Sequence, residues 1–107
     1  MGMKKYEVGF RPLAEADLLR LYDYIADASG PVVAVGYINR IEAACLALET
    51  FPERGTRRDD IRPGLRMIGF ERRATIVFQV AEREVIIVRI FYGGQDYETA
   101  LRRGDEE

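Results

Sequence analysis

The chain has 107 residues, of which 48% are hydrophobic and 32% charged, values typical of one globular domain, and we predict that residues 1–107 form a single domain. Its net charge of −2 hides an asymmetry, because residues 53–103 carry eleven basic side chains, all arginine, and eight acidic ones. There is no histidine, and Cys45 is the only cysteine, which excludes an intrachain disulfide and a Ser-His or Cys-His nucleophile. A single cysteine and the absence of an apolar run of roughly 20 residues favour a cytoplasmic protein that does not enter a membrane.

The first half predicts one strand and two helices. Tyr6 to Phe10 alternates apolar and polar residues, as a half-buried strand does. Pro12 is suited to the first turn of a helix, although Arg11 before it is a poor cap. Ser29-Gly30-Pro31 separates this helix from a second one, which stops before Phe51-Pro52. The two apolar stripes consist of Ala14, Leu18, Leu21, Tyr22 and Ile25, and of Ala34, Tyr37, Ile38, Ile41, Cys45 and Leu48. So short a break predicts an antiparallel helical hairpin.

The second half predicts three strands and a last turn of helix. The strands are Leu65–Phe70, Thr75–Val80 and Val85–Phe91, which are rich in β-branched and aromatic residues, and the helical turn lies within Gln95–Arg103. Strict alternation in the last strand would place Ile86, Val88, Ile90 and Tyr92 on one face and Val85, Ile87, Arg89 and Phe91 on the other. Because both faces are largely apolar, we expect helices on one face and a partner on the other, with the Arg89 guanidinium among apolar neighbours.

These elements predict an α+β fold. It consists of an N-terminal strand, an antiparallel helical hairpin and a three-stranded antiparallel meander, all strands forming one sheet. Residues 1–3 are expected to be disordered or a cloning remnant, and residues 104–107 form an acidic tail.

With that order, three segments resemble a known family. They are RPLAEADLLRLYDYIA (11–26), FPERGTRRDDIRPGLR (51–66) and VRIFYGGQD (88–96), and together they resemble ParE-type toxins of the RelE/ParE superfamily, the plasmid-stabilisation type of type II toxin–antitoxin systems. The resemblance covers the chain from about Tyr6 to Leu101. It implies a heteromeric complex with a ParD-like antitoxin dimer, which would contact operator DNA, so that this chain would meet DNA only indirectly. It also implies that the free toxin interferes with DNA gyrase and replication. Because the chain lacks histidine, the commonest metal ligand, we predict no metal, and we predict no cofactor either.

The resemblance leaves a second activity open, because RelE-type relatives cleave messenger RNA on the ribosome. Such a site needs groups that move protons and stabilise a pentacovalent phosphate, and RelE-type sites use lysine, arginine and a C-terminal tyrosine. Here Arg66, Arg89 and Tyr97 could form only a partial catalytic set. Relatives often carry histidine where Tyr92 stands and a basic residue where Gln95 stands. We therefore predict a poison that acts by binding, with a ribosome-dependent endonuclease as the alternative.

The last set of predictions concerns the residues that bind the antitoxin or the target. We predict that the antitoxin or target is bound by residues of the first helix, the arginine-rich loop and the last strands, namely Leu21, Tyr22, Tyr24, Arg57, Arg58, Arg62, Arg66, Arg89, Phe91 and Tyr92. The simpler interpretation is that Arg57, Arg58 and Arg62 belong to a solvated loop with Asp59 and Asp60. Likewise, Arg89 could pair with Asp96 or with an acid of the antitoxin. Cys45, on an apolar stripe, is expected to be an inert core residue.

Overall fold

The computed structural model describes residues 5–104, so residues 1–3 and the end of the acidic tail, for which we made predictions, lie outside the described residues. The elements in chain order are β1 (Glu7–Phe10), α1 (Pro12–Ser29), α2 (Pro31–Leu46) with a 3-10 turn (Ala47–Glu49), β2 (Thr56–Arg57), β3 (Leu65–Phe70), β4 (Ala74–Val80), β5 (Glu84–Tyr92) and α3 (Tyr97–Arg102). The strand, the two helices and the three later strands all lie where the sequence predicts them.

The sheet is larger and more varied than the predicted meander. Its five strands have the order β1-β5-β4-β3-β2, in which β1 runs parallel to β5 and the other pairs are antiparallel. The predicted three-stranded antiparallel meander is therefore only the β3-β4-β5 part of a mixed sheet. Strand β2 was not predicted, because its two polar residues, Thr56 and Arg57, are too few to show any alternation.

Proline and glycine residues mark the ends of the two helices of the hairpin. Helix α1 begins with Pro12 at its first position, and Arg11 before it makes no side-chain capping bond, as expected. Gly30 ends α1 with a φ of 94°, a backbone conformation that costs glycine little, and its N–H donates to the Ala26 carbonyl. One residue thus separates the two helices, and Pro31 opens α2.

Helices α1 and α2 cover one face of the sheet. Their apolar stripes and the strand residues that point toward them form the main core, which consists of Ala14, Leu18, Leu21, Ile25, Ala34, Tyr37, Ile41, Cys45, Leu48, Ala74, Ile76, Phe78, Val85, Ile87 and Ile90. Cys45 is fully buried, and burial raises the pKa of its thiol to about 12, which fits an unreactive core residue.

A β-bulge in β5 overturns the predicted assignment of its faces. Val77 pairs with Arg89 while the next residue, Phe78, pairs with Ile87, so Val88 is an extra residue that faces no partner on β4. Beyond this point the alternation changes phase. Val85, Ile87 and Ile90 consequently all lie in the helix-covered core, whereas strict alternation had separated Ile90 from the other two.

On the second face of the sheet, the chain's own C-terminal segment covers the cluster of residues around Leu101. For this part of the face, the expectation that it is left for a partner was wrong. Helix α3 places Leu101 against a second buried cluster of Leu65, Met67, Val77, Val88 and Phe91. Ion pairs hold α3 to the loop before β3, since Asp60 and Glu98 each contact both Arg58 and Arg102. Helix α3 has only three apolar side chains, Tyr97, Ala100 and Leu101, which left little periodicity to detect.

Helix α2 and the 3-10 turn have an unusual composition for elements packed on a sheet. An 18-residue window within Pro31–Glu49 has a mean hydropathy of 1.3, so by length and composition alone this stretch could cross a membrane, a criterion that core helices also meet. Only 28% of that window is buried in the fold.

Candidate functional site

A groove of about 350 Å³ opens between α1 and the carboxyl end of β5. It is lined by Asp17, Arg20, Leu21, Tyr24, Ile90, Tyr92, Gly93, Gly94 and Gln95. Leu21 and Ile90 form a buried apolar floor, while Tyr24 is 62% exposed and stands as one wall. The Gln95 side chain accepts a hydrogen bond from the Tyr92 N–H at 2.7 Å, which fixes the loop at the rim. Such a surface suits a polypeptide with apolar side chains.

The Asp17 carboxylate connects the two elements that form the groove, α1 and β5. Strand β1 pairs with β5 only as far as Ile87, so the Ile90 N–H at that edge has no strand partner, and it donates instead to Asp17 Oδ2 at 2.9 Å. Arg89 donates to the same carboxylate through Nε at 2.8 Å and Nη2 at 2.9 Å, and Arg20 through Nη2 at 2.6 Å. Three of these four hydrogen bonds, those from Arg89 and Ile90, join α1 to β5 and set the width of the groove, while the bond from Arg20 lies within α1.

Arg89 is therefore a structural residue of the groove. The predicted ion pair with a carboxylate of the chain is present, but its acid is Asp17 and not the suggested Asp96, and the Arg89 side chain is only 8% exposed. A contact of Arg89 with an acid of the antitoxin stays a prediction. Asp96 instead begins α3, where its carboxylate accepts from the N–H and the hydroxyl of Thr99. These bonds hold the pKa of Asp96 below its usual value.

A row of aromatic rings continues from the groove across the top of the sheet. Tyr92 contacts Tyr24 at 5.6 Å and Tyr37 at 5.9 Å between ring centroids, and Tyr37 contacts Phe70 at 5.5 Å, all edge to face. A second depression of about 310 Å³ lies beyond the first and shares Tyr24 and Tyr92 with it. The Tyr24–Tyr92 pair thus separates two adjoining depressions that together form one extended surface.

Two further groups flank this row. Arg40 lies over the Tyr37 ring and donates two hydrogen bonds to Glu71, which lowers the pKa of that carboxylate. Among the described residues, the Tyr37 hydroxyl has no hydrogen-bond partner. Burial, together with Tyr92 and Glu71 nearby, raises the pKa of Tyr37 to about 12.

The predicted arginines of the loop lie at the other edge of the sheet. Arg57 belongs to β2 and Arg66 to β3, the strands farthest from the groove. Arg57 donates to Asp59, and Arg58 makes two hydrogen bonds to Asp60, which holds the pKa of Asp60 well below its usual value. The simpler interpretation of Arg57 and Arg58 as loop residues paired with Asp59 and Asp60 matches these contacts.

The predicted binding residues thus fall into three groups. Leu21, Tyr24 and Tyr92 line the groove, and Tyr22 is half-buried against the main core. Phe91 is buried in the second cluster, beneath the Arg89 guanidinium and 6.0 Å from the Tyr97 ring. The loop arginines Arg57, Arg58, Arg62 and Arg66 form the third group, away from the groove.

The three residues proposed for a nuclease do not converge. Arg66 pairs with Phe78, so its side chain leaves the sheet on the helix-covered side, and Arg89 pairs with Val77 on the opposite side. Tyr97 packs on that opposite side with Phe91. Within residues 5–104 no group of three or more histidine, cysteine, aspartate or glutamate side chains is placed to hold a metal ion.

Sequence reasoning missed Asp17 and Arg20. Asp17 lies at i+3 from Ala14 and i−4 from Leu21, which is the phase of the buried stripe of α1, and a carboxylate there needs a buried cation. Arg89 was the one charged residue within the apolar strand. An acidic residue on the buried stripe of α1 and a basic residue in the apolar strand together could have predicted the Asp17–Arg89 ion pair.

The fold is that of the RelE/ParE superfamily of toxins. It matches a structure titled "Chromosomal ParDE TA system from P. aeruginosa" with a TM-score of 0.73 and 27% identity, covering 83% of this chain and 97% of that chain. It also matches the toxin–antitoxin complex RelBE2 from Mycobacterium tuberculosis with a TM-score of 0.58 and 20% identity, covering 88% and 98%, which supports the fold alone.

Within this superfamily the chain belongs to the ParE toxins of type II toxin–antitoxin systems. The family described as "ParE toxin of type II toxin-antitoxin system, parDE" matches residues 8–97. The curated protein Toxin ParE3 of Caulobacter vibrioides is 34% identical over 83 residues, which are 78% of this chain and 81% of that protein.

Proposed function

We propose that a ParD-like antitoxin neutralises this toxin by laying a C-terminal segment into the groove between α1 and β5. The observation that supports this most is the uncovered groove itself, with the buried floor of Leu21 and Ile90 and the exposed wall of Tyr24. A segment that folds on binding can bury such a surface along its length. The solved ParDE and RelBE2 relatives are toxin–antitoxin systems, which is the same kind of partnership.

The free toxin acts in the cytoplasm by binding DNA gyrase, and it does so without catalysis. Phosphodiester cleavage needs its proton-moving and charge-stabilising groups around one phosphate. The placement of Arg66 on one side of the sheet and of Arg89 and Tyr97 on the other supports a binding role instead. Arg89 is further committed to Asp17, so an incoming phosphate would have to compete with a buried carboxylate.

The antitoxin proposal is tested by co-expression with the adjacent ParD-like gene product. We expect that a stable complex copurifies and that co-expression restores growth. Absence of both would contradict the partner assignment. The gyrase proposal is tested separately with purified enzyme, relaxed plasmid and ATP, where the free toxin should inhibit supercoiling or trap cleaved DNA, and addition of the antitoxin should reverse the effect.

A further inference from the structure

The outward surface of α2 is apolar although the fold leaves it uncovered. Val32, Val35 and Leu46 are 85%, 47% and 51% exposed, and Asn39 and Ala43 between them are exposed as well. A surface helix ordinarily carries charged residues on its outer side. The only charged residues of α2 are Arg40 and Glu42, and Arg40 is occupied by Glu71.

These five residues form a single stripe. At about 100° per residue they fall within about 80° of one another around the helix axis, nearly opposite the buried Ala34, Tyr37, Ile41 and Cys45. Arg40 and Glu42 fall outside this arc. The stripe of Val32, Val35, Asn39, Ala43 and Leu46 spans about 21 Å along the helix. We call it the outer stripe.

The outer stripe is nearly symmetric about its own midpoint. Asn39 lies in the middle, Val35 and Ala43 are four residues to either side, and Val32 and Leu46 are seven residues to either side. We propose that the outer stripe is an isologous interface through which two copies of this chain associate, with the two α2 helices antiparallel across a two-fold axis at Asn39. A symmetric dimer requires one surface that complements itself, which an antitoxin segment would not require.

In this arrangement each side chain of the outer stripe meets a suitable partner. Val32 of one copy packs against Leu46 of the other, and Val35 packs against Ala43, whose small side chain lets the helices approach. The Asn39 amides meet at the axis, where each can both donate and accept a hydrogen bond. A buried asparagine at a helix contact fixes register at a cost in stability.

The size of the contact sets its expected strength. Two helices of this length in contact bury on the order of 1,000 Å² in total, at the lower limit for a specific interface. The dimer should therefore form at micromolar concentrations and dissociate on dilution. It leaves the groove between α1 and β5 accessible, because the outer stripe shares no residue with it.

Sedimentation velocity of the purified full chain, from about 1 to 200 μM, tests the proposal. We expect a reversible monomer–dimer equilibrium. Val35→Lys should raise the dissociation constant at least tenfold, because it buries a charge at the contact, and Asn39→Leu should lower it, because it removes the polar pair at the axis. Leu19→Lys on α1 is the matched control, since Leu19 is 70% exposed but lies outside the outer stripe, and it should change nothing.

Several outcomes would overturn the proposal. They are a chain that stays monomeric at 200 μM, a dimer unchanged by Val35→Lys, and a dimer weakened by Asn39→Leu. Circular dichroism of each variant separates loss of association from loss of folding. If Val35→Lys left self-association unchanged but weakened capture of the antitoxin, the outer stripe would be part of the antitoxin surface and the proposal would be wrong.

Discussion

Asp17 and Arg89 lie 72 residues apart in the chain, yet their side chains meet through two hydrogen bonds of 2.8 and 2.9 Å in the interior. The pair connects the first turns of α1 to the end of β5, the two elements that form the groove. The carboxylate also accepts from the Ile90 N–H where β1 no longer covers the edge of β5. The shape of the groove therefore depends on one buried ion pair.

Replacing Asp17 should lower the unfolding free energy more than replacing Arg89. Asp17→Ala leaves both the Arg89 guanidinium and the Ile90 N–H without their carboxylate, and we expect it to cost about 3–5 kcal/mol of unfolding free energy. Arg89→Met leaves Asp17 with Arg20 and the Ile90 N–H, so it should cost less, about 1–3 kcal/mol. Urea unfolding measures both.

Arg20→Met is the control for this comparison, because Arg20 is the exposed partner of the same carboxylate and should contribute no more than about 1 kcal/mol. An Arg89→Met variant less stable than Asp17→Ala would contradict the assignment of Asp17 as the centre of the network.

The turn between β3 and β4 contains backbone strain that a substitution can relieve. Glu71 and Arg72 have φ values of 49° and 62°, and the Arg73 N–H donates to the Phe70 carbonyl, so both central residues adopt the left-handed conformation. Hairpin turns of this kind favour Asn-Gly at these positions. Arg72→Gly should raise the unfolding free energy by about 1 kcal/mol, measured in urea, while keeping the Arg40–Glu71 ion pair.

Arg73→Gly provides the comparison for this turn. Arg73 has no positive φ, so glycine there gains nothing in the folded state and should lower stability by about 0.5–1 kcal/mol. Equal effects of the two glycines would show that the left-handed backbone is not a source of strain.

Tyr37 should make the protein sensitive to alkali. Its pKa is raised from 10.0 to about 12 in the folded chain, chiefly by burial. Between these two values the unfolded chain has lost a proton that the folded chain retains, so stability falls as pH rises from about 10 to about 12. Tyr37→Phe should reduce this loss of stability, which urea unfolding at pH 8 and pH 11 can measure.

At pH 8 the Tyr37→Phe substitution should not lower the unfolding free energy, because the Tyr37 hydroxyl has no partner among the described residues. A large loss of stability at pH 8 would show that the hydroxyl is bonded.

The wall of the groove should contribute to antitoxin affinity. We expect Tyr24→Ala to weaken binding of the ParD-like antitoxin at least tenfold, about 1.4 kcal/mol, because an exposed tyrosine beside an apolar floor is a typical hot spot. Calorimetry measures the affinity. Leu19→Ala is the matched control, an exposed apolar residue of the same helix that does not line the groove. If both variants bind equally well, the segment does not use this groove.

The elements could be predicted from the sequence because each carries its own local signal. Proline at the start of both helices and Gly30 between them mark the hairpin, and β-branched runs mark the strands. The parallel pairing of β1 with β5 could not be read in this way, because it joins residues nearly 80 positions apart and depends on how the hairpin crosses the sheet. The bulge at Val88 was likewise invisible, since an extra residue leaves the apolar composition of the strand unchanged.

The candidate site was predicted only in part for a related reason. Leu21, Tyr24 and Tyr92 were identified as apolar or aromatic residues of the right elements, and they do line one groove. The arginines were grouped with them by charge, but Arg57 and Arg66 lie on strands at the far edge of the sheet. Sequence composition shows that charges are present, whereas strand order decides which of them can meet.

We propose above that the free toxin stops growth by binding a component of DNA replication. To test this proposal, this chain is induced alone in a bacterial host, and incorporation of labelled thymidine and labelled methionine is followed over the first minutes. We expect an early fall in DNA synthesis while translation continues. An immediate fall in translation would contradict it and would require Arg66, Arg89 and Tyr97 to be reconsidered as parts of a nuclease.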